Sequence, residues 1–246
     1  MKDPIAREVH KRTRRSILAG LAGAVIGISG WKWLFSQERD EGLPWPLRRV
    51  LGLNETLASA CYSNSRLTPQ PPAPAPGSPI RINGPLGLES PVDFTQWSLR
   101  IAGPFEGEYE KEFSLDEIRK MPRTETTTEL KCIEGWTERF SYSGVKFSDF
   151  LVQLGRPDRP AYVGFETPDG EYYVSLDMDS MLHPQTLLAY EMNGKPLLIA
   201  HGAPLRLLVP VKYGIKSLKR VGTITFSDER LPDYWAERGY DWYAGL

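Results

Sequence analysis

The sequence predicts an α+β domain built on antiparallel or mixed sheet, with few and short helices, behind an apolar N-terminal helix. Three observations lead there. β-Branched and aromatic runs of strand length recur from Gln96 to Phe226, separated by Gly, Pro, Asn and Asp turn signals. Helical patterns within that stretch are brief, and the strand–helix–strand rhythm of a parallel sheet is missing. An uncharged, largely apolar run at residues 16–31 follows a basic head.

The basic head holds Lys2, Arg7, Lys11, Arg12, Arg14 and Arg15. Residues 13–18, Thr-Arg-Arg-Ser-Ile-Leu, resemble a twin-arginine export signal, a route that moves folded proteins. Residues 17–35 are long enough to span a bilayer core of ~30 Å at about 1.5 Å per residue. Trp31 and Trp33 would then sit at an interface. No A-x-A cleavage motif follows the run. A retained anchor, a cleaved signal and a buried amphipathic helix are the three readings, and the uncharged core argues against the third. Either of the first two places the protein outside the cytoplasm, in the periplasm.

Residues 1–36 are thus expected to be signal or anchor, 37–78 a linker with a proline-rich extension, and 79–246 the folded domain. Residues 48–57 suit a short helix. The run PQPPAPAPGSP forms neither helix nor central strand and reads as extended polyproline. Residues 96–102 alternate as a strand and end at the Gly103-Pro104 turn signal. Ser114-Leu-Asp-Glu is a helix start with a cap and an acid at the third position, and that helix stops near Met121-Pro122. Residues 124–132 form a β-branched strand and 147–154 a short helix. Strands at 161–167 and 171–176 flank the turn Pro168-Asp169-Gly170. Strands at 187–192 and 197–199 flank Asn193-Gly194. Residues 205–211 and 221–226 are the last expected strands.

Composition removes several functions. A net charge of −1 and a pI near 6.4 leave no basic field for nucleic acid. Two cysteines, Cys61 and Cys132, exclude a disulfide scaffold and a four-cysteine zinc site. The three histidines show no metal-ligand spacing.

Two segments carry chemistry. In Leu130-Lys-Cys-Ile-Glu-Gly-Trp136, Cys132 ends a strand beside Lys131, a neighbour able to favour thiolate, and two residues before Glu134. A thiolate ligates soft metals or attacks electrophiles, whereas a free cysteine is often only a small core residue. In His201-Gly-Ala-Pro-Leu-Arg-Leu-Leu-Val-Pro210, Arg206 stands inside an apolar strand. Phosphate is the natural bidentate partner of a buried guanidinium, and a carboxylate is the alternative. Lys212, Lys216, Lys219 and Arg220 add charge nearby.

The CIEGW segment, the YVGFET strand and the stretch HGAPLRLLVPVKYGIKSLK together resemble the sulfite oxidase-like molybdopterin family. Within it the likeness is greatest to the branch of periplasmic methionine sulfoxide reductase catalytic subunits. It covers residues 61–246. The resemblance implies that Cys132 ligates molybdenum beside the two sulfurs of one molybdopterin. It implies cofactor contacts at Asn64, Thr167, His201, Arg206, Ser217 and Lys219, with Arg206 on the cofactor phosphate. His201 stands where the sulfoxide reductases have asparagine and the sulfite oxidases histidine. Glu134 matches an acid two residues after the ligand cysteine, and Tyr240, in ERGYDW, matches the active-site tyrosine of the sulfite oxidases; both are candidates to move protons.

The implied activity is two-electron oxygen-atom transfer, reducing a small or peptide-borne S-oxide. Electrons would come from a membrane haem or quinol-linked protein, or from a soluble cytochrome, because the chain has no c-type haem motif of its own. Sulfite oxidation is the first alternative. His201 favours it, while Thr137 and Glu138, where sulfite oxidases place basic residues, disfavour it. A membrane-tethered binding module without catalysis is the second, and intact Cys132 and Arg206 argue against it.

Overall fold

A computed structural model describes residues 4–75, 77–78, 80–103, 111–155 and 160–246. Lys2 of the basic head, Pro104 of the expected turn, and Pro76 and Pro79 of the proline run lie outside them. The chain divides into two compact units, Met1–Val50 and Leu51–Leu246.

In the first unit, helix α1 (Pro4–Phe35) carries the whole apolar run. It is long and apolar enough to cross a membrane. Strands β1 (Arg39–Asp40) and β2 (Leu43–Pro44) form a two-residue hairpin turned at Glu41 and Gly42, both at positive φ. Helix α2 (Trp45–Cys61) begins there and extends the expected 48–57 helix at both ends. Pro46 sits in its first turn, where an absent N–H costs nothing.

The second unit holds strands β3 (Ser98–Ala102), β4 (Lys111–Ser114), β5 (Arg123–Lys131), β6 (Thr137–Lys146), β7 (Tyr162–Glu166) and β8 (Tyr173–Asp177). They are followed by β9 (Leu187–Met192), β10 (Lys195–Pro196), β11 (Arg206–Leu208) and β12 (Thr223–Ser227). Its short helices are α3 (Leu115–Arg119), α4 (Phe147–Leu154) and α5 (Met178–Met181). Helix α3 has the expected capping box: Ser114 Oγ accepts from the Glu117 amide, and the Ser114 amide donates to Glu117 Oε2 at 2.8 Å.

One sheet runs β10-β9-β6-β5, and β11 shares the free edge of β9 with β10. The other runs β4-β3-β12-β7-β8, antiparallel except for the parallel pair β3–β12. This is the mixed α+β architecture that the sequence predicts. The main core lies between the sheets: Leu99, Phe165, Leu176, Ile224 and Phe226 of one face meet Val145, Leu188, Leu205 and Leu207 of the other, with Phe147 and Phe150 of α4 among them.

Four strands of the second unit differ from expectation, and one of them, β4, has no expected counterpart. Strand β6 has no counterpart in the sequence reading either. It lies between β5 and β9 with six consecutive residues buried, although Phe140-Ser-Tyr-Ser143 alternates in the sequence as a strand does. The strand expected at 197–199 is replaced by β10 followed by a 3-10 turn at Ile199–His201. The strand expected at 205–211 pairs only over Arg206–Leu208, because Pro210 lacks the next donor.

The β6–β9 pairing shifts register between Ser143 and Gly144. A Cβ on Gly144 would stand 2.1 Å from the Leu188 carbonyl oxygen and 2.6 Å from Ala189 Cα, both backbone. Gly144→Ala is therefore expected to destabilise the domain by about 3 kcal/mol or more, read as a lower midpoint in denaturant unfolding.

Candidate active site

A cavity of about 330 Å³ opens in the second unit. Cys132, Glu134, His201, Arg206, Ser217, Lys219 and Tyr240 all line it. Residues far apart in sequence meet there because β9 pairs with both β6 and β11.

The β5–β6 hairpin delivers the cysteine. The Cys132 amide donates to the Trp136 carbonyl at 2.9 Å, and the Gly135 amide to the Cys132 carbonyl at 3.0 Å. Gly135 takes φ +88°, so the loop is a tight turn closed by a left-handed glycine. Such a loop holds its first residue to one orientation. Cys132 is 7% exposed. Burial pushes its thiol above the ordinary value, and the Glu134 and Ile133 amides oppose that shift. Arg81 also bears on the sulfur. The adjacent Lys131 lines a separate cavity instead, because strand alternation turns successive side chains to opposite sides.

Strand β11 delivers the arginine. Alternation sends Leu205, Leu207 and Val209 into the main core and turns Arg206 and Leu208 to the face that carries Phe140 and Tyr142 of β6. Arg206 is 3% exposed. Its Nη1 donates to the His201 carbonyl at 3.2 Å and its Nη2 to the Ser217 carbonyl at 3.3 Å. Its guanidinium lies 5.1 Å from the Tyr142 ring centre. Among the described residues no carboxylate pairs with it, and its Nε has no hydrogen-bond acceptor. The Tyr142 hydroxyl, also buried at this cavity, has no partner either. Two orphaned polar groups on one cavity wall are costly unless a ligand satisfies them. An anionic group that accepts hydrogen bonds fits that need, so the residues present suit a phosphate-bearing cofactor.

The flanking turns complete the wall. Ser217 Oγ accepts from the Val209 amide at 3.1 Å, and Lys219 Nζ donates to the carbonyls of Asn83 and Gly84. Burial, then the nearby Arg206, pushes Lys219 down to about 8. The same causes in the same order, with Lys219 third, lower His201 to about 4. Glu134 Oε2 accepts from Trp136 Nε1 at 2.8 Å, and the Arg81 guanidinium stacks 4.7 Å from the Trp136 ring centre. Tyr240 packs edge-on against Trp235, with ring centres 5.1 Å apart.

Two expected site residues stand outside the cavity. Asn64 is exposed and accepts from the Tyr62 hydroxyl at 2.6 Å. Thr167 is buried in its own hairpin turn: Oγ1 donates to Asp169 at 2.6 Å and accepts from the Tyr172 amide at 3.1 Å. Thr167 thereby holds Tyr172, which does line the cavity and donates its hydroxyl to the Ile215 carbonyl. The sequence reading missed Arg81, Asn83, Trp136, Tyr142, Tyr172 and Trp235. Trp136 lay two residues beyond Glu134 and was within reach of that reading. Arg81 and Asn83 follow the proline run, and nothing local marks their destination.

A family model described as the oxidoreductase molybdopterin binding domain matches residues 87–235. The chain belongs to that family. It is a molybdopterin-dependent oxidoreductase, and its fold is of the sulfite oxidase type. A relative in Azospira oryzae, named a putative protein-methionine-sulfoxide reductase subunit, is 30% identical over 208 residues, covering 84% of this chain and 78% of its own. The protein-methionine-sulfoxide reductase catalytic subunit of Xanthomonas campestris is 36% identical over 157 residues, 58% of this chain and 48% of the relative. This chain thus spans about half the length of that relative. Among solved structures, the sulfane dehydrogenase SoxCD of Paracoccus pantotrophus superposes with a TM-score of 0.53 at 24% identity, covering 58% of this chain and 41% of that one. That likeness concerns the fold.

With its value lowered from 6.5 to about 4, the His201 ring is neutral at pH 7. Between those values the unfolded chain binds the extra proton. The contribution of this ring to stability is therefore complete above about pH 6.5 and is lost as the pH falls towards 4. His201→Gln is expected to flatten that acid limb, measured as unfolding free energy across the window.

Proposed function

We propose that this family member reduces an S-oxide to the sulfide and water, with two electrons and two protons, at a molybdenum held by one molybdopterin. The observation that carries the reading is a buried cysteine and a buried, incompletely bonded arginine facing one cavity. Cys132 is the sulfur donor to the metal. Arg206, the Ser217 main chain and Lys219 hold the cofactor's phosphate end, with His201 beside them. Thr167 acts by fixing Tyr172, and Asn64 contributes from outside the cavity. When bound, the metal centre supplies the oxygen-atom transfer.

The protein's own residues do the rest. Trp136, Trp235 and Tyr240 form an aromatic wall suited to the apolar flank of a sulfoxide. Glu134 and the Tyr240 phenol move the protons that the departing oxygen needs. Cys132 is kept from bulk water by burial, which favours a metal-bound sulfur over an exposed thiol. Electrons arrive from a membrane haem or quinol-linked protein, or from a soluble cytochrome, with α1 as export signal or anchor outside the cytoplasm.

Arg81 supports a second reading. It brings to the cavity a cation that Thr137 and Glu138 do not supply and that Arg139, outside the lining, does not place there, and together with His201 it favours an anion such as sulfite. Steady-state assays with sulfoxides against sulfite separate the two. Reduction of sulfoxides supports the first reading. Sulfite oxidation that is lost in Arg81→Ala supports the second. Protein carrying full cofactor but inert to both is a binding module.

Wild type is expected to carry about one molybdenum per chain when produced in a host that makes the cofactor. Cys132→Ser should lose or alter the molybdenum EPR signal. Arg206→Ala should weaken cofactor retention by about 1.5–3 kcal/mol, the worth of hydrogen bonds to a charged group, read as pterin content after dialysis. Metal-free wild type from such a host would end this proposal.

A further inference from the structure

We propose that Lys216 and Asp233 are positioning residues that hold the C-terminal wall of the cavity in place. Neither lines the cavity, yet both are buried, at 1% and 3% exposure. Lys216 Nζ donates to Asp233 Oδ2 at 2.5 Å and to the Ser175 carbonyl at 3.0 Å. Asp233 Oδ2 also accepts from the Ser175 amide at 3.0 Å, and Oδ1 accepts from the Ala236 amide at 3.1 Å. One ion pair thus joins three parts of the site. Lys216 ends the 3-10 turn Gly214–Lys216, whose Gly214 and Ile215 line the cavity. Ser175 lies in β8, beyond the hairpin turn that presents Tyr172. Asp233 opens the segment that carries Trp235 and Tyr240 to the cavity.

That segment needs an external hold. Its only regular element is the three-residue turn Ala236–Arg238. The Tyr234 amide on the Tyr173 carbonyl and the Tyr173 hydroxyl on Glu237 tie the segment to β8, and Lys212, four residues before Lys216, adds another hold. It pairs with Asp177 at 3.2 Å, stands over the Tyr243 ring and bridges Gly245. The ammonium of Lys216 also lies 5.0 Å from the Trp242 ring centre. A pair so placed is costly to desolvate, and removing one partner leaves the other buried and uncompensated. Its return is the fixed geometry of the aromatic wall.

The substrate-facing part of this inference rests on the proposed S-oxide reduction. The test uses full-length, cofactor-loaded protein and the variants Lys216→Met and Asp233→Asn. Molybdenum per chain, amide exchange over residues 233–246, and kcat and KM for a sulfoxide are measured. Both variants are expected to hold wild-type molybdenum. Exchange at residues 235–240 should quicken about tenfold or more while β7 and β9 keep their protection, and KM should rise by a similar factor. Unchanged exchange in that segment overturns the proposal. So does loss of protection spread evenly over the domain, which makes the pair a general stabiliser, and so does molybdenum loss in step with the exchange. If wild type turns over no sulfoxide, the proposed function fails, while exchange and metal content still decide the clamp.

Discussion

A guanidinium inside an apolar strand is the constraint around which this site is built. Arg206 cannot leave its face of β11 without pulling Leu205 and Leu207 from the main core, and it cannot stay there unbonded. Two loops therefore bend to it. The carbonyl of His201 comes from the turn before the strand, and that of Ser217 from the turn after it. Arg206 itself lines the cavity, so the pairing that fixes the loops also sets a cation on its wall.

The cations in and around the cavity differ in their partners, and buried Arg220, which does not line it, is held by the carbonyls of Leu88, Ser90 and Ala203. Lys212 and Lys216, which do not line the cavity, each have a carboxylate within 4 Å, Asp177 and Asp233. Arg206 and Lys219, which do line it, are bonded only to carbonyl oxygens among the described residues. Carbonyl dipoles solvate a cation without cancelling its charge. A cavity lined by Arg81, Arg206 and Lys219 against the one carboxylate among its described residues, that of Glu134, with a neutral imidazole beside them, attracts an anion, in keeping with the molybdopterin-binding family to which the chain belongs.

Cys132 approaches from the opposite end of the same sheet. The β5–β6 hairpin sets its position through a turn that only a left-handed residue closes, and β6 carries Phe140 and Tyr142 beneath it. Because β9 pairs with both β6 and β11, a shift of β6 would move the cysteine and the arginine relative to each other. Gly144, with its carbon pressed against the β9 backbone, leaves that pairing little room to slide. The metal end and the phosphate end of the cavity thus share one rigid support.

The sequence alone determined the class of fold, most of its strands, the capped helix at Ser114 and the two segments that carry Cys132 and Arg206. These are local matters: alternation, turn chemistry, capping, and a charge set in an apolar run. Tertiary structure decided what lies between them. Strand β6 alternates over Phe140-Ser-Tyr-Ser143, but only its pairing with β5 and β9 makes it the central strand of its sheet. Arg81 and Asn83 reach the cavity across a proline run that carries no pairing signal. Tyr142 and Tyr172 read locally as ordinary strand aromatics, and only the register of β6 and the turn at Thr167 aim them inward. Thr167 and Asn64 stand outside the cavity and bond within their own turns. Residue type announces what a side chain can do, while the long-range pairing of strands decides what it faces, and that pairing is written in no single stretch of chain.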